Sequence, residues 1–555
     1  MPVLPSRTTL RTSFVLSILL ALFSAILLDL PFPIAGPLPP WRAVFGWVAL
    51  VPLLVAVLKP ENLASRNYLW RSALAAYMCG VLWYVLNCYW IYQTMTQYAQ
   101  GVSPAGGVGI LILFSLVLGL YFGLFGLVLA FLRRASGGIL VPLAAAPFLW
   151  TAIELLAAHL TSVPWDQLGY SQVDNLLLTK LAPVTGTYGI SFILVAVNAL
   201  VAAALLAKDI HKRVRIGAGA VLLVVLLQLG SFTSRRPSPA STYAVLLQPN
   251  LDVGTPNIWI GPMWDQRAAW IMEQSARTRS AAYVGVPVSG APFTQPPYSQ
   301  NVPPPGIVVW PEAQSPFLSD DPRLVALMRT LATTAHAPFV AGMLGHDAAG
   351  SYNSAVFTAP DGTILGRYDK IHLVPFGEYI PYRDLFFFAH KLTQQLVDLQ
   401  RGKSRQVFRA GGHSFGIFIC YESIFASEIR PFALNGADVF VNISDDGWYG
   451  DTSAPWQHLN MARMRAIENH RWILLDTNNG ITTAIDPLGR VTYSAPRNVE
   501  TSLAVRYGYE SDLTFYTRHG DVFAYACGII VIGALLFFAF RSRSVLKKSQ
   551  VPSSC

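Results

Sequence analysis

The chain contains about eight apolar runs, each of roughly 20 residues, the length that an α-helix needs to cross the hydrocarbon core of a membrane. They lie near residues 12–30, 41–58, 72–94, 106–132, 138–158, 186–207, 213–231 and 520–540. A composition of 53% hydrophobic and 13% charged residues fits a membrane protein better than a soluble globular one. We therefore expect a polytopic α-helical membrane bundle formed by residues 1–231 and completed by a final transmembrane helix at 520–541.

Lysine and arginine are distributed unevenly between the loops. The loops near 95–105 and 159–185 are nearly free of them. The basic residues that flank the spans are Arg7, Arg11, Lys59, Arg66, Arg71, Arg133, Arg134, Lys208, Lys212, Arg213, Arg215, Arg541, Arg543, Lys547 and Lys548. Because basic loops stay in the cytoplasm, both termini, including the tail 542–555, are predicted to be cytoplasmic and residues 232–519 to be exported. This topology also accounts for the net charge of +9, so no nucleic-acid partner is expected.

Residues 232–519 change to short apolar strands that alternate with helices. The pattern predicts strands at 243–248, 307–310, 339–343, 353–359, 363–368, 414–420, 437–443, 472–477 and 482–486, and helices at 264–277, 321–335 and 455–469. Asp361-Gly362 indicates a hairpin between two of the strands. A proline-rich insertion at 284–306 is typical of no regular element. The alternation favours an exported α/β sandwich with layered sheets. No nucleotide or metal-binding spacing is present, so no cofactor is expected.

A single cysteine, Cys420, lies in this exported segment, at the end of a predicted strand. A buried, inert thiol is the ordinary interpretation of such a residue. The polar residues that follow favour a sharp turn instead, which would expose the sulfur and direct the Tyr421 N–H at a bound carbonyl oxygen. His372, His413 and His458 are interpreted as structural, because no local pattern requires one of them beside Cys420.

Two charged residues elsewhere in the segment could act on this thiol. Glu312 follows the apolar run 307–310, and it is either a surface carboxylate or the base that takes the thiol proton. Lys370 is either one member of a solvated charge cluster or an ammonium that lowers the pKa of Cys420 and stabilises an oxyanion. Glu378 could hold that lysine in place.

Together these residues resemble the nitrilase superfamily of carbon–nitrogen hydrolases and, within it, the apolipoprotein N-acyltransferase family. The matching stretches are WPE at 310–312, YNSA at 352–355, GRYDKIHLVPFGE at 366–378, ICYE at 419–422, NISDDGWYG at 442–450, PWQH at 455–458, RAIEN at 465–469, and PW at 164–165 with GYSQ at 169–172. The resemblance covers nearly the whole chain and implies that the exported domain is a nitrilase-like αββα sandwich.

The resemblance also implies residue roles. The catalytic triad would be Glu312, Lys370 and Cys420, and Glu378, Tyr421 and Glu422 would support it. A tryptophan early in the domain is placed at Trp264, with Trp259 as the competing position. The long insertion before residue 307 and the pair Asp446-Gly447 depart from the family pattern, which leaves the local loop shapes open.

The implied activity is transfer of a fatty acyl chain from a membrane glycerophospholipid, through a Cys420 thioester, to the N-terminal amine of a diacylglyceryl-cysteine apolipoprotein. The expected setting is the bacterial inner membrane, with the catalytic domain of a monomer in the periplasm. Aromatic residues at 379–382 and 385–388 would form either a membrane-dipping lid or a buried element. One alternative is a membrane-tethered amidase or nitrilase that releases the acyl group to water. The other is a transporter or scaffold, which the intact triad disfavours.

Overall fold

The computed structural model describes residues 7–59, 63, 65–98, 102–232, 238–253, 263–266, 268–270, 273, 304–312, 318–375, 377–379 and 399–549, with side chains from residue 12 to residue 541. It divides into two compact units. The first comprises Met1–Tyr92, Val108–Ser234 and Asp521–Cys555, and the second comprises Gln93–Gly107 and Arg235–Gly520.

Long helices form the first unit. The α-helices before the sheets are Arg7–Asp29, Val51–Leu58, Tyr68–Asn87, Trp90–Tyr98, Pro104–Ser136, Leu140–Leu160, Ala182–Thr185, Thr187–Leu206 and Ile210–Gln228, and Val522–Ser549 follows the sheets. Eight segments among the described residues are long and apolar enough to cross a membrane, as the sequence predicts. The third ends at Asn87 and not at residue 94, because polar residues follow in the separate helix Trp90–Tyr98.

Prolines shape the second and fifth of these segments. The second begins as the 3-10 helix Pro40–Trp47 and becomes α-helical only at Val51–Leu58, which has a proline in its first turn. The fifth stays continuous through Pro147. The Thr151 hydroxyl donates to the Pro147 carbonyl over 2.9 Å there.

Small residues and buried amides hold the bundle together. A Cβ added at Gly119 would lie 2.6 Å from the Val81 side chain, and one at Gly126 would lie 2.5 Å from Ala76. Glycine at these positions therefore lets two helices approach closely. Asn198 uses its whole side chain elsewhere in the bundle, since its amide donates to carbonyls and its oxygen accepts from the Leu50 N–H over 2.8 Å.

Two six-stranded sheets form the centre of the second unit. In chain order the strands are β1 Thr242–Gln248, β2 Ile307–Trp310, β3 Phe339–Asp347, β4 Gly350–Thr358, β5 Ile364–Asp369, β6 Val407–Ala410, β7 His413–Ile419, β8 Val439–Ser444, β9 Ile473–Thr477, β10 Thr483–Ile485, β11 Val491–Ser494 and β12 Thr501–Tyr507. The sheet orders are β12-β1-β2-β3-β4-β5 and β11-β10-β9-β8-β7-β6. Strands β1-β2-β3 and β7-β8-β9 are parallel, and the flanking strands are antiparallel.

The sheets face each other and carry helices. Phe357 of the first sheet stacks on Phe408 of the second, with ring centroids 5.0 Å apart. The helix Pro322–Ala335 packs on the first sheet, and Ala426–Leu434 and Ala454–Asn469 pack on the second. The described residues of this unit also include the short helix Phe515–His519. This arrangement confirms the predicted αββα sandwich.

Most of the predicted elements are present. The hairpin at Asp361-Gly362 joins the antiparallel strands β4 and β5, and Gly362 has a φ of +86°. The structure adds β6, β11, β12 and the helix Ala426–Leu434, which the sequence pattern does not predict. Pro431 inside that helix obscures its period, and β6 and β11 are short and partly exposed. The predicted helix 264–277 and the insertion 284–306 lie largely outside the described residues.

A buried carboxyl in β9 provides a test of this packing. Asp476 is 0% exposed, and neither of its oxygens has a hydrogen bond of good geometry. Burial raises the pKa of Asp476 well above its ordinary value of 3.8, although the Leu247 backbone amide opposes the rise. The folded state therefore favours the protonated carboxyl. The free energy of unfolding is highest below pH about 4 and falls as the pH rises towards the folded-state pKa of Asp476.

We expect Asp476→Val to raise the free energy of unfolding by about 1–3 kcal/mol near pH 8, because an uncompensated polar group leaves the interior. The gain over wild type should shrink towards pH 5, where the wild-type carboxyl is protonated more easily. Thermal unfolding in detergent at both pH values measures this, with Asp320→Val on the exposed surface as the control. A gain that does not change with pH would contradict the assignment.

Candidate active site

The thiol of Cys420 lies at a sharp turn immediately after β7. Residues 415–419 of this strand are buried, and Cys420 then begins the 3-10 helix Cys420–Ile424. Its φ of +50° is unusual for a residue with a side chain and costs of order 1–3 kcal/mol. The predicted turn is therefore present. The predicted exposure of the sulfur is wrong, because Cys420 is 6% exposed, between the ends of neighbouring strands.

Lys370 follows β5 directly, and its ammonium is surrounded by carboxylates. Its Nζ lies 3.2 Å from Glu312 Oε1 and 3.0 Å from Glu378 Oε1. The residue is 1% exposed. Burial acts to lower the pKa of Lys370, but the charges of Glu312 and Glu378 outweigh it and raise the pKa well above its ordinary value. Lys370 therefore favours its charged form, and the Glu378 carboxylate, which the sequence analysis expects to hold it, lies in contact with it.

Glu312, just beyond the C-terminal end of β2, is fixed through both of its oxygens. Oε1 accepts from the Asn353 amide over 2.6 Å in addition to Lys370, and Oε2 accepts from the Asp445 backbone N–H over 2.8 Å. The same Asn353 amide nitrogen also donates to Glu378 Oε1 over 2.7 Å. Asn353 thus bridges the two carboxylates. Sequence reasoning assigned it no role, although it lies in one of the matching stretches.

The environment of Cys420 keeps its thiol protonated at rest. Burial is the main cause that raises the pKa of the Cys420 thiol well above its ordinary value, and the Glu312 charge adds to the rise. Lys370 lowers this pKa, as the sequence predicts, but its effect is outweighed. Ionisation of the thiol requires a group that takes the proton. The Glu312 carboxylate is a candidate, because its charge influences the pKa of the same thiol.

Glu422 connects the turn at Cys420 to the loop that follows Lys370. Its carboxylate accepts from the backbone N–H groups of Ile371, His372 and Ile419 over 2.7, 3.1 and 2.7 Å. The Tyr368 hydroxyl donates to the same carboxylate over 2.8 Å. This side chain is 2% exposed and fully engaged as an acceptor. We infer that its supporting role is to tie the end of β7 to the loop that follows β5, which belong to different sheets.

We expect Glu422→Gln to lower the free energy of unfolding by about 2–3 kcal/mol, because its amide would face backbone donors that need an acceptor. Tyr368→Phe is the matched comparison. It removes one donor, leaves the three backbone contacts intact and should cost about 1 kcal/mol. Thermal unfolding in detergent ranks the variants, and equal losses for the two would argue against the connecting role.

The other predicted residues lie in varied surroundings. The Tyr421 ring lies 5.2 Å from Phe425, and His372 stacks on Phe425 at 3.7 Å. Burial, assisted by nearby cations, lowers the pKa of His372 to about 4, so it is neutral near pH 7.

Trp264 packs against the helix-covered core of the first sheet, with the Arg323 guanidinium 5.1 Å from its ring centroid. Its competitor, at position 259, lies outside the described residues, as does the proposed lid at 379–382 and 385–388 apart from Tyr379.

Comparison with known proteins covers both units. A family model described as carbon–nitrogen hydrolase matches residues 299–506, and one described as apolipoprotein N-acyltransferase N-terminal domain matches residues 12–200. Among solved structures, an amidase from Nesterenkonia sp. matches 53% of this chain and 99% of its own, with 16% identity and a TM-score of 0.36.

Similar curated proteins match over nearly their full length. An apolipoprotein N-acyltransferase of Geobacter metallireducens is 32% identical over 542 residues, which is 95% of this chain and 96% of the relative. That of Methylococcus capsulatus is 30% identical over 535 residues, with coverage of 95% and 97%. These matches include the membrane bundle and confirm the resemblance carried by the motifs. The chain therefore belongs to the apolipoprotein N-acyltransferase family.

Proposed function

We propose that this protein transfers a fatty acyl chain from a membrane glycerophospholipid to the N-terminal amine of a diacylglyceryl-cysteine apolipoprotein, with Cys420 as the nucleophile. The observation that carries the proposal is the buried group of Glu312, Lys370 and Cys420 near strand ends, in a chain of which 95% is similar to an apolipoprotein N-acyltransferase. The eight apolar helices support a substrate that resides in the membrane.

In the first half-reaction Glu312 acts as the general base. Its carboxylate takes the proton of the Cys420 thiol, and the sulfur attacks the ester carbonyl carbon of the phospholipid. The ammonium of Lys370 and the backbone N–H of Tyr421 stabilise the tetrahedral oxyanion. Collapse of that intermediate breaks the ester C–O bond, and Glu312 returns the proton to the departing lysophospholipid oxygen. The acyl chain remains on Cys420 as a thioester.

In the second half-reaction the apolipoprotein amine attacks the thioester carbonyl. Glu312 accepts a proton from the amine, the C–S bond breaks, and the proton returns to the Cys420 sulfur. The lysophospholipid leaves before the acceptor reacts, so the kinetics should be ping-pong. The fixation of Glu312 through Lys370, Asn353 and the Asp445 N–H supports this role, because a base that serves both half-reactions must keep one position.

The topology that we propose follows the distribution of basic residues. Both termini are cytoplasmic, and the catalytic domain lies on the periplasmic side of the bacterial inner membrane, because the flanks that carry most of the basic residues stay inside. There it would meet exported lipoproteins after their lipidation with diacylglycerol. A monomer contains every residue that the mechanism uses.

Mass spectrometry of the intact protein tests the proposal. Incubation with phospholipid should add one acyl mass on Cys420, and a diacylated lipopeptide should then remove it and gain that mass on its N-terminal amine. Cys527→Ala, which removes a cysteine from the last helix, is the control and should behave as wild type. If water removed the acyl group from Cys420 as fast as the peptide amine does, the result would instead indicate a membrane-tethered amidase. No adduct at all would overturn the mechanism.

A further inference from the structure

A buried histidine lies behind the turn that carries Cys420. His458 belongs to the helix Ala454–Asn469 and is 0% exposed. Its Nε2 lies 3.1 Å from the Cys420 carbonyl oxygen and 2.6 Å from the Ser423 hydroxyl. Its Nδ1 lies 3.2 Å from Asp446 Oδ1. Both ring nitrogens are thus occupied by oxygen atoms.

The chemistry of these oxygens determines where the hydrogens lie. We assign a hydrogen to Nε2, because the Cys420 carbonyl can only accept, whereas the Ser423 hydroxyl can turn to accept as well. Asp446 Oδ1 already accepts from the Ser444 hydroxyl over 2.8 Å, and a hydrogen on Nδ1 gives it a second donor. The Asp446 carboxylate thus lies beside Nδ1 and orients the imidazole ring.

The same arrangement excludes two other roles. His458 cannot take the proton of the Cys420 thiol as the histidine of a cysteine protease does, because its Nε2 is directed at the carbonyl of that residue. Ser423, His458 and Asp446 have the composition of a serine-hydrolase triad, but they are 0%, 0% and 1% exposed and lie behind the turn that carries the Cys420 thiol, so we assign Ser423 no nucleophilic role.

The backbone of Cys420 needs such a contact. Its left-handed φ persists only where the surroundings hold it. Glu422 fixes the residue before the turn by accepting from the Ile419 N–H, and His458 fixes the next carbonyl by donating to it. The Ser444 hydroxyl donates to Asp446, and it also forms a hydrogen bond with the Cys420 thiol that lowers the pKa of this thiol. The cluster therefore fixes both the carbonyl and the sulfur of one residue.

We propose that His458, oriented by Asp446, is a positioning residue that holds Cys420 in the left-handed turn and so aims its sulfur at the acyl carbonyl. The inference rests on the function proposed above. A displacement of a reacting atom by about 1 Å can lower a rate by about 100-fold. Loss of the donor at Nε2 should therefore slow acylation of Cys420 by about that factor while Glu312 and Lys370 stay in place.

Two amide variants separate positioning from simple packing. In His458→Gln the amide nitrogen replaces Nε2 and can still donate to the Cys420 carbonyl, whereas the shorter His458→Asn cannot reach it. We expect His458→Asn to form the acyl adduct about 100-fold more slowly than wild type and His458→Gln to stay within about 10-fold. His346→Asn, at an exposed histidine of the same unit, should match wild type.

The readouts are the initial rate of adduct formation by mass spectrometry, the rate of Cys420 alkylation by iodoacetamide, and the melting temperature. Equal acylation rates for His458→Asn and wild type would overturn the inference. The inference would also be overturned if the Asn and Gln variants lost acylation rate equally and in proportion to their loss of melting temperature. Packing alone would then explain the slower acylation. If wild type forms no adduct, the proposed function fails, and the alkylation rates still report whether His458 positions the sulfur.

Discussion

We expect the replacement of Cys420 by alanine to yield a folded, membrane-inserted protein that neither forms the acyl adduct nor transfers an acyl chain. Activity should fall by on the order of 10⁴-fold or more, because the remaining groups have no nucleophile to assist. The fold should tolerate the change. The thiol is small and buried, and the surrounding contacts of Glu312, Lys370 and Glu422 do not depend on it. Mass spectrometry with phospholipid and a transfer assay with lipopeptide measure both losses.

A glycine at the same position provides the matched control. Cys420→Gly also lacks the sulfur and should be equally inactive, but it removes the strain of a φ of +50°. We expect it to unfold at a higher temperature than Cys420→Ala, by the equivalent of about 1 kcal/mol. Retained transfer in either variant would exclude Cys420 as the nucleophile. If the alanine variant were at least as stable as the glycine variant, the claim that the φ of residue 420 is strained would be wrong.

The sequence predicts the parts of the fold that depend on local patterns. Hydrophobic length is a local property, and all eight candidate spans are present. Strand β2 and the second half of β7 are continuously apolar, and candidate site residues follow them: Glu312 lies two residues after β2, and Cys420 directly after β7. Short, half-exposed strands such as β11 give no such signal, and a proline conceals the helix Ala426–Leu434.

The interactions of the site are less predictable, because they join residues far apart in the chain. The Asn353 amide reaches Glu312 across 41 positions, and His458 reaches the Cys420 carbonyl across 38. Neither residue type indicates such a partner by itself. The resting protonation of the thiol is a non-local property as well, since the sequence suggests a nearby cation but not the burial that outweighs it.

Replacement of Lys370 by methionine should abolish acylation and destabilise the protein by about 3–5 kcal/mol, the usual cost when one partner of a buried ion pair is removed. Glu312 and Glu378 would then face each other around the Asn353 amide without a cation. Two close carboxylates cannot both ionise easily, so the pKa of one of them rises. The stability of this variant should therefore be greatest at low pH and fall as the pH rises, more steeply than that of wild type.

The double variant Lys370→Met with Glu378→Gln separates the charge of Lys370 from its chemistry. It removes one of the two uncompensated carboxylates, so it should regain most of the lost melting temperature and lose the added pH dependence. Acylation of Cys420 should remain absent, because no ammonium stabilises the oxyanion. Recovery of acylation together with stability would mean that Lys370 only neutralises Glu312 and Glu378. Recovery of stability alone would support a direct contact between its ammonium and the reacting carbonyl.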